Sequence, residues 1–252
     1  MDLIENIASK FHLKSGFELK ILSEIPAESG MSSSTAVTAA TIKSISGLFG
    51  LEIPNETFFE LIYPVQVAIH GGRASGAEII SSVYGGFHKI QKIAGDKQIK
   101  WDFLYKTDFS VVIGYTKVRA KTSLTVGSHV PSVFNRNPDL VDTAFHSIAY
   151  LNDKMIAAIK DRDLVKIGNI IDVDHEILSK LLGLSHPKLE DCIYEAKRAG
   201  ALGAKLSGGG WGGAMFALVR PEDSERVAKA ITTTGADAIV TELGVEGVRI
   251  EK

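Results

Sequence analysis

The heptapeptide Ser207-Gly208-Gly209-Gly210-Trp211-Gly212-Gly213 places five glycines in seven residues, between apolar runs at 203–206 and 214–219. Glycine loses more backbone entropy on folding than any other residue, so the segment needs positive φ or close backbone approach to something. A glycine loop held by strands can aim several backbone N–H groups at one anion, most often a phosphate. A tight turn beside a packed core has the same composition, and the loop alone leaves both readings open. A second candidate is Pro26-Ala27-Glu28-Ser29-Gly30-Met31-Ser32-Ser33-Ser34-Thr35-Ala36, which leads into an apolar helix. Its hydroxyls fall at the helix N-terminus, where unpaired N–H groups and about half a positive charge suit a phosphate and its metal. An N-cap needs one hydroxyl; four in a row, Ser32, Ser33, Ser34 and Thr35, exceed that and favour the anion site. The third candidate, His70-Gly71-Gly72-Arg73-Ala74-Ser75-Gly76-Ala77-Glu78, gathers an imidazole, a guanidinium and a carboxylate within nine residues. Glu78, opening a helix, is either a general base or a charge favoured by the helix dipole. Arg73 is a phosphate clamp or solvated, and His70 alone reads as structural.

These segments need strands and helices to hold them. Phe17-Glu18-Leu19-Lys20-Ile21-Leu22-Ser23 alternates with period two and predicts a half-buried strand. Apolar residues recur at helical spacing from Thr35 to Gly50, and a second helix is expected from Glu56 to Ile69, bent or broken at Pro64. A helix is also expected at residues 1–12, strands at 84–90 and 99–104, and a turn at 94–98 between them. Residues 109–115 read as a strand and open a second domain, so the expected division is 1–105 and 106–252. Helices are expected at 138–160, 163–181, 187–199 and 222–234, with final strands near 237–242 and 246–250. The mixture lacks strict βαβ alternation, so the class is α+β rather than doubly wound.

Bulk properties exclude several roles. The chain has 252 residues, 45% of them hydrophobic, and a net charge of -2, which offers no footprint for nucleic acid. No signal peptide is visible and no apolar run approaches the ~20 residues that span a bilayer. The single cysteine, Cys192, excludes an internal disulfide and fits a reducing compartment. The expectation is a soluble cytoplasmic protein with no nucleic-acid or membrane partner. His129, His146, His175 and His186 lack metal-ligand spacing, Trp101 reads as packing, and Lys205 as a phosphate contact or a solvated strand-edge residue.

In this order, the three segments resemble the family of small-molecule kinases that includes galactokinase, homoserine kinase, mevalonate kinase and phosphomevalonate kinase. The serine loop is similar to the family's Pro-x-x-x-Gly-Leu-Gly-Ser-Ser-Ala-Ala motif and the glycine loop to its Gly-x-Gly-Gly-Gly-type motif. Further similar phrases are Val112-Ile113-Gly114-Tyr115-Thr116, Gly183-Leu184-Ser185-His186-Pro187 and Gly200-Ala201-Leu202-Gly203-Ala204-Lys205-Leu206. The resemblance runs from about Phe17 to the end and is nearest to archaeal mevalonate kinases. It implies a two-domain small-molecule kinase fold with a truncated amino-terminal domain and a ferredoxin-like α/β carboxy-terminal domain. The implied reaction moves the γ-phosphate of ATP, with Mg2+, to a small-molecule alcohol: mevalonate's 5-hydroxyl on the nearest match. Phosphomevalonate, a sugar, or a non-catalytic nucleotide- or metabolite-binding role are the alternatives.

The resemblance also assigns residues. Gly30, Ser32, Ser33, Ser34 and Thr35 would wrap the nucleotide phosphates, with Ser34 on the magnesium. Gly208, Gly209 and Gly210 would close the site from the other domain. Glu78 falls where the family has its catalytic aspartate, and Arg73, Ser75 and Gly76 would contact substrate. Lys117, Arg119 and Lys121 would favour an acidic or phosphorylated acceptor. The sequence departs from the pattern in four places. The family's opening Pro-Gly-Lys-type segment has no counterpart, and an exposed sheet edge there would favour a homodimer. Ser32 and Trp211 each replace a glycine. Glu78 is one methylene longer than aspartate. The magnesium-binding glutamate, eleven positions before Glu78, falls on Val67; Gln66 beside it is uncharged and is expected to face another way.

Overall fold

The structure, a computed structural model, describes residues 3–13, 15–69, 74–92, 99–105 and 109–251. The expected turn at 94–98 lies outside them. The chain forms two compact units. One comprises Met1–Pro26, Ser32–Thr107 and Gly244–Lys252; the other comprises Ala27–Met31 and Asp108–Leu243.

The first unit holds helices α1 (Leu3–Lys10), α2 (Ser33–Phe49), α3 (Asn55–Ile69) and α4 (Ala77–Tyr84), and the antiparallel pair β1 (Phe87–Lys92) and β2 (Ile99–Tyr105). Helix α2 buries Ala39, Ile42 and Ile45, each three apart, and stops at Gly50, whose left-handed backbone turns its N–H onto Gly47 and Ser46. Helix α3 runs unbroken through Pro64. No break occurs there because Phe58, Leu61 and Ile62 before Pro64 and Gln66 after it are all buried and hold both sides of the lost hydrogen bond in place. That core also takes in Ile7, Ile79 and Val83. Tyr84 and His88 pack on Trp101, with ring centroids 4.4 and 5.2 Å apart, as its packing role requires.

Two expected strands do not form. Residues 17–23 pair with no strand among the described residues, and Ile21 and Leu22 are 55% and 82% exposed. Alternation marks a strand only where a neighbour supplies the ladder; here Phe17 lies edge-on to Phe49 at 5.9 Å. Residues 246–250 make a single bridge, Glu246 to Gly85. Gly85 has φ 62°, and a Cβ there would lie 2.2 Å from the Val245 carbonyl oxygen.

The second unit is built on β3 (Phe109–Tyr115), β4 (Gly203–Leu206), β5 (Ala214–Leu218) and β6 (Asp237–Leu243). They form one antiparallel sheet in the order β4-β5-β3-β6. Helices α5 (Thr122–Leu124), α6 (Val130–Arg136), α7 (Pro138–Lys160), α8 (Leu164–Glu176) and α9 (Pro187–Arg198) lie between β3 and β4, and α10 (Ser224–Thr232) lies between β5 and β6. This is the β-α-β-β-α-β succession of the ferredoxin-like arrangement. The helical stretch through α5 and α6, joined by a π-turn at Thr125–His129, was not expected. Its Thr-Val-Gly-Ser-His sequence has little helix propensity and no apolar period. Leu189, Cys192 and Ala196 of α9 meet Val227 and Ile231 of α10 and Met215 of the sheet in one core. Among the described residues no helix is long and apolar enough to cross a membrane.

Helix α8 and strand β4 touch backbone to backbone. A Cβ on Gly203 would lie 2.1 Å from the Gly168 carbonyl oxygen, and one on Gly168 would lie 2.2 Å from that of Leu202. Gly203→Ala is therefore expected to destabilise the protein by about 1–3 kcal/mol, because the backbones must separate. Gly127→Ala, whose Cβ would meet nothing within 4 Å, is expected to be neutral or stabilising. Urea unfolding midpoints of the two variants check the contrast.

Candidate functional site

In the second unit, residues 27–31 and the glycine loop, far apart in sequence, come together. A Cβ on Gly30 would lie 2.9 Å from the Ser207 carbonyl oxygen, and one on Gly208 would lie 3.0 Å from the Gly30 Cα. The Ser207 hydroxyl donates to the Gly30 carbonyl at 3.1 Å, and Ala120 N–H donates to the Glu28 carbonyl at 3.0 Å. Gly213 packs on Ser29, with 2.6 Å between an added Cβ and the Ser29 carbonyl oxygen. Gly213 also exchanges bonds with the end of β3: its N–H donates to Val118, and its carbonyl accepts from the Thr116 N–H and hydroxyl. Gly210 is pressed against Leu184, where a Cβ would lie 1.9 Å from the carbonyl oxygen. Close packing thus accounts for Gly210, Gly212 and Gly213. Of the positions assigned to phosphate, Gly208 is exposed while Gly209 and Gly210 are buried.

Trp211 stands in this loop at φ 60°, a conformation that costs a side-chain-bearing residue about 1–2 kcal/mol. Its N–H donates to Leu184 O and its Nε1 to Gly183 O, both at 2.8 Å, and its ring lies 4.7 Å from that of His129. Lys205, read as a phosphate contact or a solvated residue, is not solvated: it pairs with Asp174, both side chains about four-fifths buried. Lys117 lies 2.7 Å from Asp237, and Arg119 lies 3.8 Å from Glu28.

The rest of the serine loop belongs to the first unit. Ser32 is left-handed, φ 55° and ψ 33°, and its side chain makes no capping bond to α2. Helices α7, α8 and α9, by contrast, are capped by Asn137, Asp163 and His186. The first bond of α2 runs from Ala36 N–H to Ser32 O, so the N–H groups of Ser33, Ser34 and Thr35 precede the helical ladder. Thr35 is fully buried, and its Oγ1 has no partner among the described residues.

Gln66 corrects an expectation. It faces Ser34, not away: its Nε2 lies 3.4 Å from Ser34 Oγ, the residue is fully buried, and its Oε1 has no partner among the described residues. Phe58, Ile62 and Gln66 are four apart on one face of α3, a spacing visible in the sequence.

Glu78 lies in the first turn of α4, with the Ser75 hydroxyl donating to its Oε2 at 3.1 Å. Ser75 also accepts from Ala77 N–H at 3.2 Å, and Gly76 supplies the left-handed turn into the helix at φ 76°. Arg73 and His70 lie outside the described residues. No group of three or more His, Cys, Asp or Glu side chains among the described residues is placed to hold a metal ion. Uncharged side-chain oxygens at the start of α2 and on α3 include those of Ser34, Thr35 and Gln66.

The contact between Gly30 and Gly208 yields a measurable coupling. Gly30→Ala and Gly208→Ala should each destabilise, since both residues have positive φ and abut backbone. The double variant should depart from the sum of the two by at least about 0.5 kcal/mol, as contacting residues do. Additive unfolding free energies would contradict the contact.

Comparison with known proteins agrees with this architecture. The GHMP kinases N terminal domain matches residues 2–86, and the GHMP kinases C terminal domain matches residues 155–237. A mevalonate kinase of Thermococcus sibiricus is 34% identical over 99% of this chain and 74% of that protein. One of Pyrococcus horikoshii is 35% identical over 94% of this chain and 69% of that protein. The crystal structure of Methanococcus jannaschii mevalonate kinase superposes with a TM-score of 0.73, covering 96% of this chain and 73% of that one at 24% identity, and shows the same fold. With both domains matched and relatives a third identical across nearly its whole length, the chain belongs to the GHMP kinases and is a kinase, a phosphate-transferring enzyme.

Proposed function

We propose that this kinase transfers the γ-phosphate of ATP to the 5-hydroxyl of mevalonate. The observation that carries the reading is the 34–35% identity to proteins named mevalonate kinase over 94–99% of the chain. We place the enzyme in the cytoplasm on the same basis. Phosphoryl transfer needs positioning and charge neutralisation more than covalent help, and the residues suit that division. The N–H groups of Ser33, Ser34 and Thr35, at the positive end of a 17-residue helix, bind phosphate oxygens. The hydroxyls of Ser34 and Thr35 and the amide oxygen of Gln66 form a hard-oxygen set, two of them buried and without a partner among the described residues, which suits Mg2+. When bound, the ion neutralises charge on the phosphate oxygens. Glu78 accepts the proton of the acceptor hydroxyl, or its hydrogen bond, with Ser75 fixing one carboxylate oxygen.

The pairing of Lys117 with Asp237 and of Arg119 with Glu28 favours an unphosphorylated acceptor, since two of the three cations expected to attract a phosphate already face carboxylates. Phosphorus NMR of the purified protein with Mg-ATP and mevalonate should show a new phosphomonoester together with ADP. Glu78→Gln should slow its appearance by about 10²–10⁴-fold, the usual loss on removing a general base. Turnover with phosphomevalonate or a sugar but not with mevalonate would overturn the acceptor, and no turnover with any of them would overturn the activity.

A further inference from the structure

We infer that His175 is a positioning residue for phosphoryl transfer: its Nδ1, left bare by a proton on Nε2, holds the end of β4 and so sets the glycine loop. The inference rests on the kinase reading and on a part for the glycine loop in the transfer. Ile167, Ile171 and His175 are four apart and buried on one face of α8, where an apolar side chain would pack at no polar cost. A buried imidazole in such a stripe must be satisfied. Its Nδ1 lies 3.4 Å from the Leu206 amide nitrogen and accepts that N–H, and its Nε2 lies 3.2 Å from Glu190 Oε1 on α9. Nε2 and Glu190 Oε1 are both buried, and neither makes a hydrogen bond elsewhere among the described residues. Only a ring nitrogen without a proton can accept an amide N–H, so the imidazole proton sits on Nε2, facing the carboxylate.

Strand β4 is an edge of its sheet, with β5 on one side. The N–H groups of Ala204 and Leu206, two apart, turn away from β5, and α8 meets both. Asp172 Oδ1 lies 2.9 Å from the first and His175 Nδ1 takes the second. Asp172 is itself fixed by Lys197 of α9 at 2.5 Å. Leu206 is followed at once by Ser207, whose hydroxyl holds the Gly30 carbonyl, and by Gly208, which abuts Gly30. Covering a strand edge needs no particular acceptor. An acceptor on the last residue before the loop does more, because it fixes where the loop begins. A misplacement of 1 Å can cost about 10²-fold in rate.

Steady-state kinetics with Mg-ATP and whichever acceptor wild type phosphorylates, together with 15N NMR of the histidine side chains, test this in the full chain. At neutral pH the wild-type spectrum should show His175, assigned by its absence from the variants, protonated at Nε2 and bare at Nδ1. His175→Asn places an amide oxygen where Nδ1 stood, whereas His175→Gln reaches toward Glu190 instead. His175→Gln should lower kcat per folded molecule by about tenfold with KM unchanged, and His175→Asn should recover most of that loss. Thermal melts give the folded fraction of each variant. A residue needed only for stability would lower the melts and leave kcat per folded molecule where it was. That result, a proton on Nδ1 in wild type, or an Asn variant as slow as the Gln variant would overturn the inference while leaving the kinase reading intact. No turnover by wild type with mevalonate, phosphomevalonate or a sugar would overturn both.

Discussion

The second unit turns on a contact made almost entirely of backbone. Residues 27–31 lie against the glycine loop so closely that side chains at Gly30, Gly208 or Gly213 have no room. The segment is tied there by the Ser207 hydroxyl and by the bond from Ala120 to Glu28. Glycine is entropically expensive, and four of the loop's five glycines are explained once their neighbours are named: Gly30 for Gly208, Leu184 for Gly210, Val118 for Gly212 and Ser29 for Gly213. The sheet continues the constraint, because Gly213 is bonded to Thr116 and Val118 at the end of β3. The loop is therefore a fixed fixture of the sheet, and Trp211 is held in a left-handed turn by its two bonds to Gly183 and Leu184.

The chemistry proposed for the first unit depends on groups left unsatisfied. An N-terminus with a capping side chain has already spent one donor, as in α7, α8 and α9; α2 has not. The serines there are uncommitted to capping, and the buried oxygens of Thr35 and Gln66, which have no partner among the described residues, add polarity to the same unit. Glu78 is organised differently, on a short helix entered through a left-handed glycine and with a serine hydroxyl on its carboxylate. Binding and proton handling are thus given to separate helix starts within one unit.

Local features were legible in the sequence wherever pattern and terminator coincided. Helix α2 follows from the spacing of Ala39, Ile42 and Ile45 and from Gly50; β3 follows from its apolar run. The ferredoxin-like sheet came through the family resemblance, since strand order is a long-range property. What was illegible depended on partners distant in sequence. Residues 17–23 alternate like a strand, yet they pair with no strand among the described residues. The α5–α6 stretch is helical despite glycine, threonine and serine, so tertiary packing overrides its weak propensity. The serine and glycine loops stood out by composition, but their meeting at Gly30 and Gly208 did not. Nor did the committed state of Lys205, whose partner Asp174 lies 31 residues away.

The central claim is that the uncapped start of α2 is where nucleotide phosphate binds. The most direct measurement is a 15N-resolved NMR titration of the labelled protein with the β,γ-imido analogue of ATP and Mg2+. The account predicts that the backbone amide signals of Ser33, Ser34 and Thr35 move most among the helix starts, while those capping α7, α8 and α9 stay in place. Saturable binding of the analogue with these three amides unmoved would contradict it.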